Sequence, residues 1–375
     1  YDQKGNLSQR VEAVGTAAER TLNYSYDSNN QLLEMTLSAD AQTAAATTLL
    51  SYDIQGNIST LTDPEANKTE FLQYDILGNP LKIKDARGHI WLFSYDVKGR
   101  LTSKTDPAGN ITSYEYDKED NRVAVVDADQ KRFEFSYNQR NQVIRSTDPL
   151  GNFSSIDYNT DGLPILLSDQ KGHKFENQYD NEQRLLVSKV GTESTGFETR
   201  YQYDETTAVF ANSDKPIQID YPTYSQRLYF DRQQRQVRSS DILDESTTQS
   251  SHREYDALGN IIAETDQQNR KTQYQYDSLN RLMQSMDPDL QETRYQYDDR
   301  DKLIALTDPN NGTTRFEYDR NGRMTAEIRP MGETTRYQYD EVGNRTSVTD
   351  AKGQLTSYQY STANRLQQEQ HFAVS

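Results

Sequence analysis

Alternation is the dominant pattern along this chain. Phe93-x-Tyr95, Tyr114-x-Tyr116, Tyr274-x-Tyr276, Tyr295-x-Tyr297 and Tyr337-x-Tyr339 each put two rings on one side of an extended segment, with Ser, Glu or Gln between them. A turn signal follows, and then an apolar residue returns: Leu101, Val143, Leu185, Ile261, Leu282 and Leu303. No stripe of period 3.6 persists, and a breaker arrives about every ten residues, which argues against helices. The pattern predicts pairs of short strands joined by tight turns, about one β-hairpin per unit.

The pattern repeats. TDPAGNITSYEYD at 105–117 returns as TDPLGNFSSIDYN at 147–159 and TDPNNGTTRFEYD at 307–319. A marker tyrosine closes each alternating run: Tyr52, Tyr74, Tyr95, Tyr116, Tyr137, Tyr158, Tyr179, Tyr255, Tyr276, Tyr297, Tyr318 and Tyr339, with Tyr1, Tyr26, Tyr203, Phe230 and Tyr360 in the same role. Between Tyr74 and Tyr179, and again between Tyr255 and Tyr360, the spacing is 21 residues. A motif used this often is a building unit. The chain reads as one array over 1–375, regular over about 52–180 and 255–360 and irregular over about 181–254. It begins at Tyr1-Asp2 inside a unit, as a piece of a longer protein would.

Each unit carries two turn signals. Four residues after the marker stands Gly, Asn or Asp, as in Gly78, Gly99, Gly259 and Gly343, residues that tolerate positive φ. Gln183, Thr207 and Gln234 break this rule. With the long stretches 191–197 and 205–216 they mark the middle as the expected first site of proteolysis, between about 190 and 250. The second turn begins eleven residues after the marker, as in Asp106-Pro107-Ala108-Gly109, and fits a type I turn. Turns are expected at 77–79, 98–100 and 120–122.

One unit cannot stand alone. Ordering its residues costs on the order of 30 kcal/mol, at roughly 1.5 kcal/mol per residue. Two rings and a few aliphatic side chains return only part of that. Stacked side by side, roughly 34 strands at about 4.8 Å each would make a sheet about 160 Å wide. Sheets of that width coil or close. The predicted fold class is therefore all-β: tandem hairpin repeats forming a long curled sheet or part of a hollow β-shell or barrel.

Composition changes the picture in one respect. Leu, Ile, Val and Phe make up only about 19% of the chain and the net charge is −17, values that border on disorder. The 26 tyrosines, placed on a period, supply the missing apolar area. The acidic balance argues against nucleic acid as a partner, because phosphate contacts need clustered Lys and Arg. No apolar run approaches the roughly 20 residues that span a bilayer, so no direct membrane insertion is expected. The chain has no cysteine and hence no disulfide or thiolate metal site.

Sharper chemistry finds little footing. His89 and His173 both follow turn glycines, and His252 and His371 stand apart from them. The Asp-rich turns at 127–130, 287–291 and 308–312 suggest calcium, but one fixed Asp per turn is what turn geometry asks for anyway. The tyrosine ladder could bind sugars, although packing explains it as well. Trp91 reads as a local packing substitution. No catalytic, cofactor or metal residue is assigned; the positions singled out are the marker tyrosines and turn glycines, as structural repeat positions.

The unit Y-x-Y-D-x-x-G-x-L-x-x-x-x-D-P-x-G resembles the YD (Rhs) repeat. Tyr95-Asp96, Gly99-Arg100-Leu101 and Asp106-Pro107-x-Gly109 carry the resemblance, as do Tyr255-Asp256, Gly259-Asn260-Ile261 and Asp266. Such repeats occur in bacterial Rhs and wall-associated proteins, C components of insecticidal toxin complexes, and teneurins. The resemblance implies a spiralling β-shell around a hollow interior, without enzymatic activity. It further implies a secreted or cell-surface location. The partners it implies are an enclosed polypeptide cargo and further repeats or the core-associated region of the same parent protein. A surface module that binds a cell-surface glycan or receptor is the alternative. The core-associated P-x-x-x-x-D-P-x-G signature and the toxin that follow bacterial repeats have no counterpart after Tyr360, and self-cleavage does not carry over.

Overall fold

The computed structural model describes residues 1–38, 44–191, 196–203 and 214–373. The described residues form 33 strands, from Gln9–Glu12 to Leu366–Phe372, and no helix. Each regular repeat contributes two, as in Leu303–Thr307 and Thr313–Tyr318. Consecutive strands are antiparallel and in direct register, for example Leu306 opposite Thr314. The fold class read from the alternation is the one observed.

Both turns of a repeat are built the same way. The aspartate after the marker accepts, on Oδ1, the N–H groups of the residues two and four further on. Asp75 takes them from Leu77 and Asn79, each at 2.9 Å. Its carbonyl accepts from Gly78 N–H at 3.1 Å, and Asn79 Nδ2 donates to Oδ2. Asp63, at the start of the second turn, repeats every bond with Glu65, Asn67 and Ala66. Asp leads both turns because one carboxylate satisfies three donors that the loop leaves unpaired. The turns sit at 75–79, 96–100 and 117–121; the last lies earlier than 120–122, because Arg122 already begins the next strand.

The fourth turn residue has positive φ, which is what the glycines are for: +83° at Gly78 and +94° at Gly259. No atom lies within 4 Å of a Cβ built on Gly259, so backbone conformation selects glycine there. Gln183 and Gln234, the exceptions to Gly, Asn or Asp at this place, adopt the same turn with φ of 68° and 60° and keep its hydrogen bonds. The aspartate's bonds hold the loop whatever occupies the fourth place. Thr207 and most of the two long stretches of the middle lie outside the described residues. Leu290 shows the strain most plainly, at φ 62° and 77% exposed. We expect Leu290→Gly to stabilise the chain by about 0.5–1 kcal/mol, read as a higher urea midpoint.

A bulge marks the end of the second strand in each regular repeat. Glu317 faces Ala326 but Tyr318 faces Met324, so residue 325 has no partner. Alternation puts both rings on one face, and the bulge shifts the partner strand by one residue: Met324 lies with Phe316 and Tyr318, while Ala326 shares the other face with Glu317 and Arg336. On that second face a small residue is buried beneath longer neighbours. Ala124, Ala263, Ala305 and Ala326 are the buried apolar residues of these strands, and Ala18 completes the set. The ring face is only half-buried, because the described residues put no second layer over it.

The chain divides into two compact units. Unit 2 is the continuous stretch Thr112–Gln273. Its strands pair in chain order, including the longer hairpin of Gln236–Ile242 with Thr248–Tyr255, where Ser239, Ser240, Ser250 and Ser251 hydrogen-bond across the pair. Unit 1 is made of two segments, Tyr1–Ile111 and Tyr274–Ser375. Within each segment the strands again pair in chain order.

Candidate functional site

Three devices link repeat to repeat in place of a core. The first uses the marker hydroxyl. Tyr52, Tyr74, Tyr137, Tyr158, Tyr179, Tyr255, Tyr318 and Tyr339 donate to the carbonyls of Leu32, Ile58, Arg122, Val143, Pro164, Gln236, Leu303 and Met324, at 2.5–3.0 Å. Each acceptor is the residue after the preceding repeat's first turn, beside its bulge. The hydroxyl therefore ties each marker ring to the first residue of the preceding repeat's returning strand. Tyr116 closes its own bulge opposite Arg122, and Tyr276 ends the strand Lys271–Tyr276.

The second device is an arginine five residues after the marker. Arg281 Nε donates to Asp277 in its own turn, Nη1 donates to the carbonyl of Asp298 in the next repeat, and the guanidinium lies 5.0 Å from the ring centre of Tyr297. Arg323 does the same with Asp319, Asp340 and Tyr339, and Arg235 with Asp231, Asp256 and Tyr255. Arg184 stacks on Tyr203 at 4.4 Å. Where this place holds Asn, as at Asn57 or Asn260, the amide closes its own turn. Nothing in the ring-and-turn pattern pointed to these arginines, though their spacing from the marker is as regular as the glycine's.

The third device joins the two segments of unit 1. Call the row of turns after the markers the tyrosine edge, and the opposite row the proline edge. The proline edge of 1–111 lies against the tyrosine edge of 274–375. Arg20 Nη1 donates to Asp299 O at 2.9 Å and Asp301 Oδ2 at 2.7 Å. Asn321 Nδ2 reaches Asp63 Oδ2 and Arg320 N–H reaches Glu65, both at 2.6 Å. Arg87 meets Asp340, the carbonyls of Ser361 and Thr362, and Asn364 Oδ1. These partners are 253 to 281 residues apart, about twelve or thirteen repeats.

The titrating groups follow this architecture. Hydrogen bonds from Asn79 and Asn260 hold the carboxyls of Asp75 and Asp256 below the usual range, and Ser246 does so for Asp244, down to about 2. Burial, and then the carboxylate of the preceding repeat's turn, raises the phenols of Tyr74, Tyr95 and Tyr318. A depressed carboxyl stabilises the fold above its unfolded pKa of about 4, and this is lost as pH falls. A raised phenol stabilises it below about 10, and this is lost as pH rises. The urea midpoint should therefore be level between about pH 5 and 9 and fall steeply on both sides; a maximum inside that window would contradict this.

The other residues considered in the sequence are scattered. His89 and His173 sit beside Asp85 and Asp169 in separate turns, and His252 lies opposite Arg238. Trp91 donates to Asp85 Oδ2 at 3.2 Å and carries Lys104 over its ring, so it packs against its neighbouring strands. Among the described residues no group of three or more His, Asp or Glu could hold a metal.

Comparison with known proteins agrees with this construction. The RHS Repeat family model matches 95–132 and, in overlapping windows, 255–372; the Teneurin YD-shell model matches 1–105. The chain belongs to the YD-repeat family. The YD-repeat array is similar to the solved TcdB2-TccC3-TEV structure, with a TM-score of 0.73 at 14% identity over 93% of this chain. The TcdB2-TccC3-Cdc42 structure gives 0.67 at 14% over 93%. The Tc holotoxin pore of Photorhabdus luminescens gives 0.62 at 13% over 97%. The array spans 21–26% of the length of those chains. No curated protein matches it.

Proposed function

We propose that this YD-repeat array is a non-catalytic wall segment of an exported, toxin-like shell that encloses a polypeptide carried by the same parent protein. The observation that carries this reading is the sheet itself. It is one layer thick, its strands are tied to one another by turn and hydroxyl bonds, and its ring face covers nothing within the described residues. A sheet that buries no core of its own suits a boundary between two spaces. The fold it shares with TccC3-containing complexes supports the same reading. Among the described residues, the turn aspartates and the repeat arginines serve the turns, clips and edges, which supports a structural role. The test is protease treatment of the full reading frame that contains this array. Enclosure predicts that the polypeptide encoded after the repeats survives under conditions that digest it when it is expressed alone. Equal digestion rates would overturn the proposal.

A further inference from the structure

The two edges of the ribbon differ in chemistry. On the tyrosine edge of 274–375 the turn tips that face the other segment are polar: Ser278, Asp299 and Arg320. The same turn position on the tyrosine edge of 52–99 holds Ile54, Ile76 and Val97, exposed to 98%, 100% and 97%, with Leu77 beside them at 59%. Consecutive tips are two strands apart, about 10 Å, so these three form a row. Three consecutive β-branched apolar side chains standing in water at loop tips are the mark of an interaction surface.

The contact within unit 1 shows what such an edge takes: a tyrosine edge receives a proline edge. That contact uses the proline edge of 1–111 and the tyrosine edge of 274–375, which leaves one edge of each kind outermost in the unit, on opposite sides. The outer proline edge, on 287–353, carries exposed apolar tips of its own, Leu290 at 77% and Met331 at 89%. We propose that the outer tyrosine edge at Ile54, Ile76 and Val97 is a docking surface for the outer proline edge of a second copy of this chain. The contact continues the seam inside unit 1, with apolar tips where that seam has polar ones. It is head-to-tail, because each copy offers a different edge.

Sedimentation velocity on the whole chain tests this. The expected result is association that rises with protein concentration. Ile54→Glu with Ile76→Glu and Val97→Glu should give a monomer at every concentration, and so should Leu290→Glu with Met331→Glu. All five side chains are loop tips in water, and unchanged circular dichroism confirms that the variants fold. Mixing the two variants should restore a one-to-one dimer and nothing larger, since each retains the edge the other lacks. A wild-type chain that stays monomeric, a variant that still self-associates, or a mixture that fails to pair would overturn the proposal.

Discussion

Asp298→Ala should destabilise unit 1 by about 3–5 kcal/mol, the largest effect expected of a single turn residue. The side chain of Asp298 is fully buried. Its Oδ1 accepts the N–H groups of Arg300 and Lys302, at 2.9 and 2.8 Å, and its Oδ2 accepts from the Arg300 guanidinium. Truncation leaves two backbone donors and a largely buried cation without their acceptor. The damage spreads, because Arg281 clips this turn from the preceding repeat and Arg20 holds it across the seam. Asp298→Asn keeps an oxygen for the two N–H groups and weakens only the arginine, so it should cost well under half as much. Urea unfolding of the two variants beside the wild type decides this. Equal losses would mean that the charge, and not the loop geometry, carries the effect.

Tyr339→Ala should cost about 2–4 kcal/mol, against about 1 kcal/mol for Tyr339→Phe. The phenylalanine keeps the ring under Arg323 and loses only the bond to Met324 O at 2.8 Å. The alanine also removes the ring that fills the step between two repeats, where the described residues put no second layer to close over it. In an array stabilised by neighbour contacts, hydrogen exchange should show the loss concentrated in the strands on either side of the substitution. Uniform loosening along the whole chain would contradict that picture.

Much of this was readable from spacing. Alternation placed the strands, the marker tyrosines placed their ends, and the leading aspartates placed the turns. These features are local, and the same few side chains produce them in every repeat. Gln183 and Gln234 depart from the residues the fourth turn position prefers, yet the turn forms, because the aspartate three residues earlier holds the loop. The arginine clip and the buried alanine were present in the spacing too, at fixed distances from the marker. Their meaning depends on which strands flank them. The seam was not legible. Arg20 and Arg87 look like any other surface arginines, and their partners lie 253 to 281 residues on. That pairing is set by strand twist and bulge summed over many repeats, which no single repeat records.

Among the described residues the array stands by links between consecutive repeats, with no second layer over its ring face. Amide hydrogen exchange on the intact chain tests this most directly. Ladder amides should be protected to a similar degree from repeat to repeat, around Tyr95, Tyr137 and Tyr158 and again around Tyr297, Tyr318 and Tyr339. Strong protection confined to one small group of strands, with the remaining repeats exchanging freely, is how a domain folded about a local core behaves, and it would contradict the account.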